Sequence, residues 1–190
     1  LGNPTEAAEW YRKAAEQGHA NAQYELGRCH ESGQGVEEQD VTRAVELYVE
    51  GAKQGQDDAR SALVRLANEG RADAQYQVGN MDRRGTRTEA AQWLRMAPEQ
   101  GHANAQYELG RCYELGQGVE EQDATKAVEL YMEAATQGHD DARSALNRLA
   151  KQGRADAQYH VGNLNRLGNP TEAAEWYRKA ADQGNPNAQY

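Results

Sequence analysis

Apolar positions in this chain fall three and four residues apart, in short blocks separated by glycine-rich breaks. Within 40–55, Ala44, Leu47, Tyr48, Gly51 and Ala52 form one stripe, and Gly55 follows as a C-terminal stop. That spacing is the mark of an amphipathic helix with one buried face. Within 20–33, Ala22, Leu26 and His30 recur at a spacing of four, with Gly27 beside Leu26. Asp40 and Asp123 stand where N-caps are needed, and Asn3-Pro4-Thr5-Glu6 has the spacing of a capping box with proline at the first helical position. Gly-Gln-Gly-Val at 33–36 and 116–119 reads as a turn, and nowhere does the strict alternation of a strand appear. The pattern predicts an all-α chain of short helices.

The blocks repeat on two scales. HANAQYELGRC occurs at 19–29 and 102–112, DDARSAL at 57–63 and 140–146, and GRADAQY at 70–76 and 153–159, each pair 83 residues apart. LGNPTEAAEWYRKAA at 1–15 returns unchanged at 167–181. Residues 1–83 and 84–166 are about three-quarters identical, the trace of a duplicated large unit. Inside each unit an Ala-x-Ala-x-Tyr anchor, or its Asp-Asp-Ala-Arg variant, recurs at steps of 37, 15 and 31 residues. A 37-residue step fits one helix-turn-helix repeat, and the 31-residue step is the same with a shorter loop. The 15-residue step has room for a single helix. About five helices per 83-residue unit are therefore expected, in one array over 1–190 made of units 1–83 and 84–166 and a partial third copy at 167–190.

The long pattern A-x-A-Q-Y-x-L-G-x-x-Y-x-x-G-x-G-V followed by D-x-x-x-A-x-x-x-Y-x-x-A-x-x-Q-G resembles the Sel-one-like repeat (SLR), a relative of the tetratricopeptide repeat. Residues 102–138 carry it nearly throughout, at Ala105, Leu109, Gly110, Tyr113, Gly116, Gly118, Val119, Asp123, Ala127, Tyr131, Ala134, Ala135 and Gly138. Three departures stand out: His30 replaces the tyrosine, Pro98 falls inside a helix and should kink or end it, and the 15-residue units are abbreviated. The resemblance implies an α/α superhelix, a right-handed solenoid that scaffolds protein complexes without catalysing a reaction. It implies a bacterial setting, cytoplasmic or periplasmic. Within that class it also suggests an immunity or inhibitor protein for a secreted toxin of type VI secretion.

A solenoid leaves an extended concave face free. With Leu26 pointing inward and a turn of ~100° per residue, Asn21, Tyr24, Arg28 and Glu31 point the opposite way. The same offsets select Asp73, Tyr76, Asn80 and Arg83 in the short repeat. In the duplicate they select Asn104, Tyr107, Arg111 and Glu114, then Asp156, Tyr159, Asn163 and Arg166. Tyrosine and arginine are frequent anchors of interfaces, so these positions are expected to grip a protein or peptide. The competing reading is that the repeated tyrosines pack between neighbouring first helices.

Charge narrows the partner. With 30 acidic against 21 basic residues the net charge is -9, and no basic run exists to neutralise phosphates. Nucleic acid is excluded as an expected partner and a basic protein is favoured. No stretch reaches the ~20 apolar residues of a membrane span, so no membrane insertion is expected. Residues 1–13 lack the basic start and apolar centre of a signal peptide and read as the middle of a repeat, which suggests a fragment or processed chain.

Chemistry adds little. Cys29 and Cys112 occupy one repeated slot and are expected as thiols rather than a disulfide. The Cys29–His30 neighbours point ~100° apart and make a poor nucleophile pair. His19 and His102 sit in a repeated turn. Glu37–Asp40 and Glu120–Asp123 lack the alternating ligands and glycine of a calcium loop. Trp10, Trp93 and Trp176 share one helix slot and are expected in the core. No cofactor, metal or catalytic group is called for; a hydrolase stands as the remote alternative. Because the chain begins and ends on the same helix, head-to-tail self-association into a structural array is the other rival reading.

Overall fold

The computed structural model describes residues 3–82, 87–96 and 102–189. Pro98 and Arg83 lie outside them. Every regular element among the described residues is helical: α1 Pro4–Glu16, α2 Ala20–Ser32, α3 Val41–Lys53, α4 Asp57–Asn68, α5 Ala72–Asp82, α6 Arg87–Met96, α7 Ala103–Leu115, α8 Ala124–Thr136, α9 Asp140–Lys151, α10 Ala155–Asn165 and α11 Pro170–Asp182, closed by a 3-10 turn at Pro186–Ala188. Helices α4 and α9 are the single helices foreseen in the 15-residue steps.

The ends of these helices are written in the sequence. Asp40 Oδ1 accepts a hydrogen bond from the Arg43 amide (2.9 Å), and Asp123 Oδ1 accepts from those of Thr125 and Lys126 (both 3.0 Å). The amide bonds hold the Asp123 carboxyl below the usual carboxylate range, with Lys126 and Arg154 nearby acting in the same direction. Asn3 and Asn169 cap α1 and α11. Two helix starts the sequence left undefined are capped by rings: Nδ1 of His102 and Nδ1 of His139 accept from the amides of Ala105 (3.3 Å) and Ala142 (3.2 Å). At Gly33 and Gly116 the chain leaves α2 and α7 with φ of 74° and 64°, a left-handed turn that glycine adopts without steric penalty.

The chain forms two units, Leu1–Met81 and Asp82–Tyr190. In each, the pairing of a first and second helix rests on one steric device. A β-carbon on Gly27 of α2 would lie 2.6 Å from the Tyr48 ring of α3, one on Gly110 of α7 2.7 Å from Tyr131 of α8, and one on Gly162 of α10 2.6 Å from Tyr177 of α11. The missing side chain lets the ring lie flat against the helix, and Tyr48 and Tyr131 are wholly buried. Around Tyr131 the core collects Val128, Leu146, Leu149, Val161 and Trp176, with alanines filling the close approaches.

Each unit has two layers. In the first, α2 lies beside α4, tied by Arg65 and Glu31, while α3 lies beside α5, tied by a hydrogen bond from Arg71 Nη2 to Thr42 Oγ1 (3.0 Å). In the second, α7 lies beside α9 through Arg148 and Glu114, and α8 beside α10 through Arg154 and Thr125 (3.4 Å). The single helix shifts the alternation by one. Helices α2 and α5 share the Ala-x-Ala-Gln-Tyr sequence yet occupy opposite layers of their unit, as do α7 and α10.

Candidate functional site

Helix α2 projects Tyr24, Arg28 and Glu31 along one side, and α4 faces them with Asp58, Ser61 and Arg65. Between them runs an open groove of about 690 Å³. The half-buried Tyr24 ring leans on Tyr48 with centroids 5.8 Å apart, and the exposed Arg28 guanidinium lies 5.9 Å above Tyr24 while pairing with Glu25 at 3.1 Å. Asn21 stands exposed at the end of the same row.

The groove floor is fixed by Glu31. One carboxylate oxygen accepts from the Tyr48 hydroxyl (2.6 Å) and the other from Arg65, so one side chain of α2 ties down both α3 and α4. Burial, and then the bond to Glu31, push the Tyr48 phenol far above its ordinary value, so it donates at every physiological pH. Arg65 is held protonated by Glu69 and Glu31 against its own partial burial. Glu31 was expected to face a partner; here it is occupied inside the fold.

The duplicate repeats the arrangement. Tyr131 donates to Glu114 (2.7 Å), and Arg148 Nη2 lies 2.7 and 2.9 Å from the two Glu114 oxygens. Tyr107 leans on Tyr131 at 5.7 Å, and Arg111 lies 6.0 Å from its ring and 3.3 Å from Glu108. Asn104 is exposed. One difference matters: His139 stacks on Tyr107 with centroids 4.6 Å apart, where unit one has Gln56 at the matching position. Burial pushes the Tyr107 phenol up, Arg111 opposing and nearby acids adding to it.

The remaining residues selected from sequence are not brought to these grooves. Tyr76 and Asn80 lie on α5, in the layer of α3; Tyr159, Asn163 and Arg166 lie on or just after α10, in the layer of α8. Tyr159 packs on Tyr177 with centroids 6.0 Å apart, and Asn163 accepts from the Tyr177 hydroxyl (2.9 Å). Asp73 and Asp156 are paired with Arg71 and Arg154 at the helix starts. The odd helix count sends equivalent residues to opposite layers of a unit.

Among the described residues, Cys29 and His30, neighbours in sequence, face different grooves. Cys29 lines the α2–α4 groove, whereas His30 lines a separate groove of about 450 Å³ between α1 and α3. Burial, then Glu25, push the Cys29 thiol up, opposed by Arg28, so it is a weak nucleophile. Burial pushes His30 down, with Asp40 opposing. Among the described residues no three His, Cys, Asp or Glu side chains converge to hold a metal ion, and no helix is long and apolar enough to cross a membrane.

Layered helix pairs locked by a glycine–tyrosine contact define an α/α repeat protein of the tetratricopeptide-like class. The Sel1 repeat profile matches residues 1–19, 20–56, 72–102 and 103–139, and a tetratricopeptide repeat profile matches 133–188. The chain belongs to the Sel1 repeat family. Mouse "DAP3-binding cell death enhancer 1" is 29% identical over 174 residues, covering 78% of this chain and 34% of that protein. The "Exopolysaccharide production negative regulator" of Rhizobium meliloti is 30% identical over 173 residues, covering 86% of this chain and 56% of that protein. The chain thus spans about a third of the length of the first and just over half of the second. Among solved structures, a Sel1 repeat protein from Oxalobacter formigenes is 26% identical with a TM-score of 0.45, covering 98% of this chain and 68% of that one. Immunity protein Pa5087 from Pseudomonas aeruginosa is 23% identical with a TM-score of 0.30, covering 99% of this chain and 61% of that one.

Proposed function

We propose that this chain is a non-catalytic binding module that holds a peptide segment of a protein partner in the α2–α4 groove and in its copy between α7 and α9. The observation that carries the reading is the groove beside Tyr24 and Arg28, open over about 690 Å³ and built on a floor already fixed by Glu31, Tyr48 and Arg65. A side chain ordered before binding loses less entropy on binding, and a tyrosine carrying an arginine over its face is an apt anchor. The names of several relatives, an exopolysaccharide production negative regulator and chitin synthase regulators among them, agree with a regulatory rather than catalytic task. The net charge of -9 favours a basic segment, whose capture should weaken with salt.

The test is selection of displayed random peptides on the immobilised chain. Peptides recovered on the native chain should lose about tenfold or more in affinity on Tyr24→Ala/Arg28→Ala or Tyr107→Ala/Arg111→Ala, while Tyr159→Ala leaves them bound. Retention by both groove variants, or loss with Tyr159→Ala alone, would place the site elsewhere.

A further inference from the structure

The groove between α7 and α9 is not a faithful copy of the one between α2 and α4. Of the twelve residues that line the first groove, eleven recur 83 positions later. The exception is Ser32, matched by Leu115. Ser32 is satisfied where it stands, its hydroxyl donating to the Arg28 carbonyl (2.8 Å). Leu115 ends α7 with 51% of its surface exposed and takes no place in the core cluster around Tyr131. It adds apolar surface at the groove without adding to the core.

Two further differences stand beside the same groove and act in the same direction. Gln56 caps α4 through Oε1, which accepts from the Ala59 amide (2.9 Å), while its Nε2 donates to Asn21 (3.5 Å). His139 makes the matching cap of α9 through Nδ1 (3.2 Å) and lays its ring on Tyr107. Either residue serves as the cap, so the helix start does not require the ring. With Tyr107 leaning on Tyr131, His139 extends an aromatic wall that in the first groove consists of Tyr24 and Tyr48 alone. At the other end Glu69, which holds Arg65, is matched by Gln152, so one carboxylate is gone. A single exposed leucine is ordinary. Three differences around one groove, each making it less polar or less charged, give it a different surface.

We propose, resting on the reading of both grooves as peptide sites, that the two take different segments. The α7–α9 groove takes a segment with two large apolar side chains, one over Leu115 and one against the His139–Tyr107 stack. The α2–α4 groove takes a segment with polar side chains at both points. The spacing follows from the helix: Tyr107 and Leu115 are eight residues apart, about 12 Å along α7. An extended chain covers that distance in about four residues. The cap bond holds His139 over Tyr107 before any segment arrives, so little ordering is left for binding. Leu115 and His139 therefore set selectivity, while Tyr107, Arg111 and the Glu114 floor, whose counterparts stand in the first groove, set binding.

The test isolates each groove in the full chain. Displayed random peptides are selected on Tyr24→Ala/Arg28→Ala, which leaves the α7–α9 groove, and on Tyr107→Ala/Arg111→Ala, which leaves the α2–α4 groove. The first selection should return peptides with aromatic or long aliphatic residues about four positions apart, and the second should not. Leu115→Ser should then weaken the first set about tenfold. His139→Gln, which keeps a capping oxygen, should weaken it about threefold. Adding Ser32→Leu/Gln56→His to the Tyr107→Ala/Arg111→Ala chain should let the α2–α4 groove bind the first set, a gain that no loss of stability can imitate. Two sets of one composition, a first set indifferent to Leu115→Ser, or no gain from Ser32→Leu/Gln56→His would overturn this inference and leave the groove reading standing. Recovery of the same peptides by a chain carrying both pairs of alanine changes would overturn the two together.

Discussion

Helices α2–α4 and α7–α9 are two copies of one three-helix block, and they differ less in what holds them than in what surrounds the holding groups. In both, a glutamate on the first helix gathers a tyrosine from the second and an arginine from the third. In the first block Arg65 divides itself between Glu31 and Glu69, at 2.9 Å from the latter. In the second the position of Glu69 is taken by Gln152, so Arg148 is left to Glu114 and lies close to both its oxygens. The tyrosine over the groove stands beside Gln56 in one block and beneath a stacked His139 in the other. A shared carboxylate can thus be the lesser of two partners or the principal one, depending on a residue that does not touch it.

The comparison breaks most completely at its centre. Tyr48→Ala and Tyr131→Ala each remove a wholly buried ring and should destabilise their own unit by about 3–5 kcal/mol. Denaturant titration should show the loss in each case, with Trp176 reporting the second unit. A far smaller loss from either would mean that the glycine it faces closes over the gap.

A finer cut separates the blocks. Glu31→Ala and Glu114→Ala leave a buried phenol without its acceptor, an effect of about 1–3 kcal/mol. The loss should be larger for Glu114→Ala, because Arg148 then loses its principal partner, whereas Arg65 keeps Glu69. Equal losses would show that the arginine contributes little and the phenol most of the effect.

The smallest effect is expected from acid. His160 on α10 has no counterpart in the first unit, where Gln77 takes its place. Burial pushes His160 below its ordinary value, with Asp156 and Glu129 opposing, and its Nδ1 has no hydrogen-bond partner. The folded state therefore binds the proton less readily than the unfolded chain. The stabilising contribution is full above the ordinary imidazole value of about 6.5 and is lost as the pH falls through the lower folded value. His160→Gln should flatten that acid limb in thermal melts taken across pH; an unchanged limb would assign it to other groups.

Much of this was legible in sequence because repetition exposes what each position tolerates. The stripe Ala44–Leu47–Tyr48, the aspartate caps and the single-helix steps follow from period, capping chemistry and length. Three things did not follow. The sides on which Tyr76 and Tyr159 emerge depend on the layer their helices occupy, and the layer depends on counting helices before them rather than on local pattern. Trp10 was expected in the core and shares its helix sequence with Trp176, yet it is 62% exposed where Trp176 is 9% exposed; burial at this slot depends on which helices pack alongside, which the helix's own pattern does not carry. His102 and His139 cap helices through a ring nitrogen, a role that histidine spacing does not announce; the signal available was their place just before Ala-Asn and Asp-Asp helix starts.

The glycine–tyrosine contact has a bearing on how such chains can be recombined. Its two halves lie on different helices but tolerate change only together, since even one methyl group on Gly27 would meet the ring of Tyr48. A crossover falling between α2 and α3 would part them and mix glycines with unmatched second helices, whereas one falling after α3 would carry both. The exchangeable module therefore ends behind each tyrosine helix, after α3 in the first block and after α8 in the second.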